Sequence, residues 1–178
     1  MKKILLSIAT GFGSGLFPVC SGTTGAMVGI PLAILITALH NYLWIQIIIV
    51  TILTLLSIPL CDYAEKQFGK KDDGRIVADE YLLLPICFVA QEPVFSLLWG
   101  ENSDPVRAIL FTGMAFVISR IFDILKLYPA NRLQRVKGGL GIVLDDFFAD
   151  LYAWICIWLC NKYILAPFIL PYISKIFY

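Results

Sequence analysis

The chain has 178 residues, enough for one domain, and 59% of them are hydrophobic, with a mean hydropathy of +0.81. That is well above the roughly 45–50% apolar content of soluble domains, so the class expected is an integral membrane protein. The formal net charge is +1, which gives no electrostatic footprint for nucleic acid.

Met1-Lys2-Lys3 followed by Ile4-Leu5-Leu6 resembles the start of a signal peptide, but the apolar run breaks at Gly11-Phe12-Gly13-Ser14-Gly15, so no cleavable segment is expected. Residues 4–24 are crowded with Gly, Ser and Thr around Pro18 and predict no straight helix. Such a run can offer backbone N–H groups to an anion, or can simply let helices pack closely. Ala26 to Leu39 is the first span expected, with a possible kink at Pro31. Tyr42 to Cys61 is the second, and only His40 and Asn41 separate the two, which predicts a helical hairpin. His40 reads as an interfacial residue. From Ile4 to Cys61 there is no Asp, Glu, Lys or Arg.

Asp62 to Phe68 predicts a short surface helix, followed by a loop ending at Gly74. The stretch Lys71 to Glu80 then places four carboxylates, Asp72, Asp73, Asp79 and Glu80, within nine residues. Acids at the edge of a membrane segment avoid the hydrocarbon, so they face a polar cavity, one another or a cation; an ordinary wet loop leading into a helix explains this stretch equally well. Tyr81 to Gly100, interrupted by Pro85 and Pro93, predicts a kinked or partly re-entrant span. Val106 to Leu125 is the next span. Lys126 to Leu144 reads as a basic loop with Gly138, Gly139 and Gly141. Asp145-Asp146 opens the last span, Phe147 to about Ala166, with Asp150 a turn inside, and Pro167 to Tyr178 is expected to lie along the interface. The fold class expected is therefore all-α, a single polytopic helical membrane domain over residues 1–178 with about four to six embedded helices. The five cysteines, without a C-x-x-C pair, read as small apolar fillers.

If the spans alternate, residues 2–24, 62–80 and 123–146 share one face. That face holds ten of the fourteen basic residues, namely Lys2, Lys3, Lys66, Lys70, Lys71, Arg75, Lys126, Arg132, Arg135 and Lys137. The positive-inside rule makes it cytoplasmic. The glycine-rich and acid-rich motifs converge there. Carboxylates gathered without paired histidines or ordered thiolates suit a hard cation such as Mg2+, Mn2+ or Ca2+. Arg120, Asp123 and Lys126 are three residues apart and share a helical face, as a structural ion pair or as a substrate clamp. The sequence lacks the Cys-x5-Arg loop and the Asp-x-Asp pair of two phosphatase classes, and one histidine cannot serve the haloperoxidase-like lipid phosphatases.

Five blocks in order resemble the bacterial phosphatidylglycerophosphatase A family. They are Gly11-Phe12-Gly13-Ser14-Gly15-Leu16-x-Pro18, Gly22-Thr23-x-Gly25, Ile76-Val77-x-Asp79-Glu80, Arg120-Ile121-x-Asp123-x-x-Lys126-x-x-Pro129 and Gly138-Gly139-x-Gly141-Ile142-x-x-Asp145-Asp146. The resemblance implies a Mg2+-dependent enzyme of the bacterial inner membrane. Such an enzyme removes the terminal phosphate of phosphatidylglycerophosphate, with its site toward the cytoplasm. It implies an acidic, metal-binding set of Asp72, Asp79, Glu80, Asp123, Asp145 and Asp146. Of these, Asp79, Glu80, Asp123 and Asp146 are the candidate catalytic groups, and Gly13, Ser14, Thr23, Arg120 and Lys126 the candidate substrate contacts. The sequence departs from the family at Ser21, Tyr81-Leu82 and Leu127. A small cation transporter with an acidic vestibule, and a scaffold binding anionic lipid, are the competing expectations. A transporter would place its acids in mid-span and often carries internal repeats, and no repeat is found.

Overall fold

The structure, a computed structural model, describes residues 2–101 and 103–171. Among them every regular element is helical. α1 (Lys2–Ala9) leads into a 3-10 segment, Gly11–Leu16, that kinks where Phe12 and Gly13 take positive φ of 57° and 98°. α2 (Ser21–Thr37) and α3 (Leu43–Phe68) follow each other through a short connection but do not pack as the expected hairpin, because the stretch from Ala78 onward lies against both of them. α3 does not stop at Cys61; the surface helix expected at Asp62 to Phe68 is its last two turns. The helix ends at Gly69, whose φ of 68° lets its N–H close back on the Glu65 carbonyl.

Residues 81–100 do not form one span. α4 (Ala78–Leu83), a 3-10 turn (Leu84–Phe88) and α5 (Val94–Trp99) make a bent, interrupted path. Irregular backbone buried among helices needs hydrogen-bond partners, and here the neighbouring helices supply them. Gln46 of α3 accepts from the Ala90 N–H at 2.9 Å, and Thr37 of α2 accepts from the Phe95 N–H at 2.9 Å. The Trp154 indole donates to the Val89 carbonyl at 2.7 Å. Glu92 takes Arg107 at 2.7 Å and Asn161 at 2.9 Å.

α6 (Pro105–Leu125) opens with Asp104 accepting from the Arg107 N–H and with proline at its first position. The stretch expected as a basic loop, Lys126 to Leu144, instead holds α7 (Ala130–Leu133) and the first turns of α8 (Gly139–Cys160). α8 can start that early because Gly139 lies against the α3 backbone at Ile58 and Asp62, where a Cβ would collide. It continues as a π-helical segment, Asn161–Ile169, with Pro167 inside it; residues 172–178, most of the tail expected at the interface, lie outside the described residues.

The core has two parts. One surrounds Val77, Ala78 and Leu83 of the α4 region, with Cys61, Ala64 and Val143. The other surrounds Leu84, Cys87 and Phe88, with Phe111, Ala115 and Ile157, and Phe88 meets Phe111 edge-on at 5.8 Å. α3 and α6 are long and apolar enough to cross a membrane, by length and composition. At about 1.5 Å per residue each covers the roughly 30 Å of a bilayer core.

Candidate functional site

The short helix α4 carries Asp79 and Glu80 in its first turn. It is held flat against α2 because α2 presents glycine wherever α4 approaches. A Cβ at Gly25 would run into Val77, one at Gly29 would lie 2.7 Å from the Tyr81 carbonyl oxygen, and one at Gly22 would lie 2.5 Å from Glu80 Oε1. The N–H of Val77 donates to the Ala9 carbonyl, tying the same stretch to the end of α1. The glycine-rich N-terminal region therefore acts as a seat for the acidic helix.

Around that seat the three segments expected to share a face meet at one end of the bundle. Ser21 of α2, Asp72, Gly74 and Ile76 of the connecting loop, Asp79 and Glu80 of α4, Asp123 and Ile124 of α6, Lys126, and Asp145 and Asp146 of α8 line a cavity of about 340 Å³. The acids come from four different stretches, and two bases brace them. Arg120 Nη1 lies 3.3 Å from Glu80 Oε2 and 3.1 Å from Asp123 Oδ2, linking α4 to α6. Lys126, in the left-handed region at φ 41°, points its ammonium at Asp145 Oδ2 and lies 3.9 Å from Asp146 Oδ1, linking the end of α6 to α8. Asp145 and Asp146 were expected at a helix start; with α8 beginning at Gly139 they lie well inside it. The helix N-terminal field is thus not what favours their charge.

Burial pushes the Asp79 carboxyl up to about 7; Asp72, Asp145 and Asp123 add to the rise, and a hydrogen bond with Asp146 opposes it. Burial, then the charge of Asp79, hold Glu80 well above the usual carboxylate range, against the pull of Arg120. Burial lowers the pKa of Lys126, but Asp146 and Asp145 outweigh it and keep the ammonium charged. Two buried oxygens, Asp79 Oδ1 and Asp145 Oδ1, have no hydrogen-bond partner. Leaving them so is costly, and a hard cation is the chemistry that fits carboxylate oxygens in this state. Among the described residues no three such groups already stand together as a ready-made metal site; the donor types and the two orphaned oxygens fit a cation.

The structure thus gathers Asp72, Asp79, Glu80, Asp123, Lys126, Asp145 and Asp146. Arg120 stands behind them, its side chain 12% exposed and engaged by Glu80 and Asp123. Gly13 lines a separate pocket with Thr10 and Leu16. The Ser14 hydroxyl turns back to the Thr10 carbonyl and Thr23 is exposed, neither of them lining the acidic cavity. Asp73 is taken by Arg75 at 2.7 Å, and Asp62 by Lys66 at 2.6 Å. Sequence reasoning did not single out Ser21, Ile76 and Ile124 as lining residues. Ser21 adjoins the Gly22-Thr23 block, and Ile76 opens the Asp79-Glu80 block, so adjacency to a motif was the available signal.

Residues 7–161 match the family described as Phosphatidylglycerophosphatase A. A Phosphatidylglycerophosphatase A of Escherichia coli is 34% identical over 81% of this chain and 76% of its own length. One of Haemophilus influenzae is 32% identical over 93% of this chain and 96% of its own. A Putative phosphatidylinositol-3-phosphatase of Bacteroides thetaiotaomicron is 32% identical over 84% of this chain and 89% of its own. No solved structure matches the chain.

Proposed function

The chain belongs to the phosphatidylglycerophosphatase A family, a phosphatase family acting on a phosphomonoester, and from that premise we propose that it hydrolyses the terminal phosphate of phosphatidylglycerophosphate at a bacterial inner membrane, with its acidic cavity toward the cytoplasm and Mg2+ as cofactor. The observation that carries the cation is the cavity itself. A phosphate dianion cannot enter a pocket where acids outnumber bases unless positive charge bridges them. Asp79 and Asp145, through their orphaned oxygens, with Asp72, Glu80, Asp123 and Asp146 around them, would hold it. The bound cation would supply Lewis-acid stabilisation of the phosphoryl oxygens.

The side chains do the rest. Lys126 offers a fixed ammonium to a phosphate oxygen. Arg120 holds Glu80 and Asp123 in register. Asp79, whose carboxyl burial raises to about 7 without a cation, would give up that proton on taking the cation. In hydrolysis an oxygen bonds to phosphorus as the ester bond to the glycerol oxygen breaks, and the glycerol oxygen takes up a proton. The attacking oxygen is that of water or of an aspartate, the latter forming an aspartyl phosphate that water then cleaves.

Purified protein offered phosphatidylglycerophosphate, a phosphatidylinositol phosphate and phosphatidic acid should release phosphate fastest from the first. EDTA should abolish release and Mg2+ restore it. Full turnover in chelator would overturn the cation reading, and preference for the inositol lipid would move the assignment toward the Bacteroides relative's named activity.

A further inference from the structure

α2 and α6 run side by side but pack together only sparsely. A cavity lies at each end of their seam. One is the acidic cavity, with Ser21 at the start of α2 and Ile124 near the end of α6 in its wall. The other, of about 270 Å³ and apolar, is lined by Ile34 of α2, Leu98 of α5 and Ala108, Ile109, Thr112 and Gly113 of α6. An exposed apolar track joins them along α6. Ile109, Gly113, Val117 and Ile121 recur at four-residue spacing and so share a face, and the track reaches Ile124, 80% exposed, at the acidic cavity.

From Ile124 to Gly113 the helical rise gives about 16 Å, close to half of a ~30 Å bilayer core, which is the depth of one leaflet. A lipid whose phosphate sits among the acids must send its acyl chains back toward the bilayer interior. The α6 track is an apolar route that begins in the wall of the acidic cavity. We infer that one acyl chain of the lipid phosphomonoester lies in the α2–α6 seam, with its far end in the cavity beside Gly113. This rests on the lipid-phosphatase reading above.

Gly113 is the point at which to test it. It is helical and exposed, and a Cβ added there would meet no heavy atom within 4 Å. A larger side chain can therefore occupy the chain-end cavity without disturbing the packing, and replacing a mid-helix glycine favours the helix. The measurement is kcat/KM of purified Gly113→Trp and Gly113→Leu on dipalmitoyl and on dihexanoyl phosphatidylglycerophosphate in mixed micelles. Gly113→Trp should lower the long-chain value about tenfold, the effect of leaving one or two methylenes unburied, and leave the short-chain value within about twofold. Gly113→Leu should show a smaller drop of the same kind. Leu55→Trp, at a 60% exposed position on α3 away from the seam, should change neither. Equal losses on both substrates, or no loss on either, would overturn the seam while leaving the phosphatase standing. Failure of the unaltered protein to turn over either lipid would overturn the phosphatase reading, and the seam with it.

Discussion

Asp79 and Asp146 face each other across the α4–α8 contact, and neither is stabilised mainly by a nearby base. Replacing either with Asn keeps the volume and the hydrogen-bonding outline but removes the charge. If their role were structural, relief of repulsion between neighbouring carboxylates would leave the protein as stable as before or more so. As cation ligands or proton carriers they cannot be replaced in this way. Asp79→Asn and Asp146→Asn should therefore purify normally and lose turnover by about a hundredfold or more; near-normal turnover at limiting Mg2+ would remove that residue from the site. Asp79 also sets a pH dependence. Its folded-state pKa is raised from 3.8 to about 7 by burial first and by neighbouring carboxylates second. The folded state thus binds this proton more tightly than the unfolded state does. Its contribution favours folding below about pH 4 and is progressively lost as pH rises toward 7. Metal-free protein should accordingly melt at a lower temperature at pH 7 than at pH 5. Cation binding, which needs the deprotonated form, should raise the melting temperature more at pH 7 than at pH 5. An equal Mg2+ shift at both values would count against Asp79 as a ligand.

At the scale of elements, the site depends on how α4 is seated on α2. α4 is only six residues long, too short to hold a helical shape by its own propensity. Its position comes from Gly22, Gly25 and Gly29, which let it approach the α2 backbone. Gly25→Ala should push Val77 outward and carry Asp79 and Glu80 with it. The expected cost is about 1–3 kcal/mol of overpacking and, measured well below the melting temperature, a fall in kcat approaching a hundredfold for a displacement near 1 Å. Gly113→Ala, facing open space inside α6, should raise stability by up to about 1 kcal/mol, the opposite sign to Gly25→Ala. The long apolar elements were legible in the sequence because length and hydropathy alone define them; α6 agrees almost to the residue. The early start of α8 was not, because Lys137 and three glycines read locally as a loop, and only the close α3 crossing at Gly139 makes a helix favourable there. The two long helices were legible, whereas the path through residues 81–100 is decided by side-chain partners on helices distant in sequence. The acids that line the cavity are those the family resemblance implied; charge pattern alone did not separate them from Asp62 and Asp73, which pair with Lys66 and Arg75. The seating role of the glycines could not be separated from anion binding until Val77, Glu80 and Tyr81 were seen against them.

For the molecule as a whole, the charge distribution and the fold make one joint demand. The acidic cavity draws on residues 21–80 and 123–146 at a single end of the bundle, and the basic residues Lys66, Lys70, Lys71 and Lys137 flank a neighbouring pocket at Asp62 and Gly138 on that same end. Glu92, Arg107 and Asn161 form a separate cluster, reached from that end by the length of α6 and α8. In a bilayer the lysine-rich end belongs on the cytoplasmic side, since lysine and arginine near span ends are retained there during insertion. On the proposed reading the acidic cavity goes with it, toward the compartment from which Mg2+ would be drawn. In a background with the native cysteines replaced, Arg75→Cys and Lys137→Cys should resist an impermeant thiol reagent in intact spheroplasts and react once the membrane is opened. Glu101→Cys, in the loop before α6, should react in both. Arg75 and Lys137 lie on different connections, so a wrong orientation and a wrong fold give different results. Both positions reactive from outside would invert the protein while keeping the shared face. One reactive and the other not would mean that the two connections do not share a side, and the cavity built from them could not exist in the membrane.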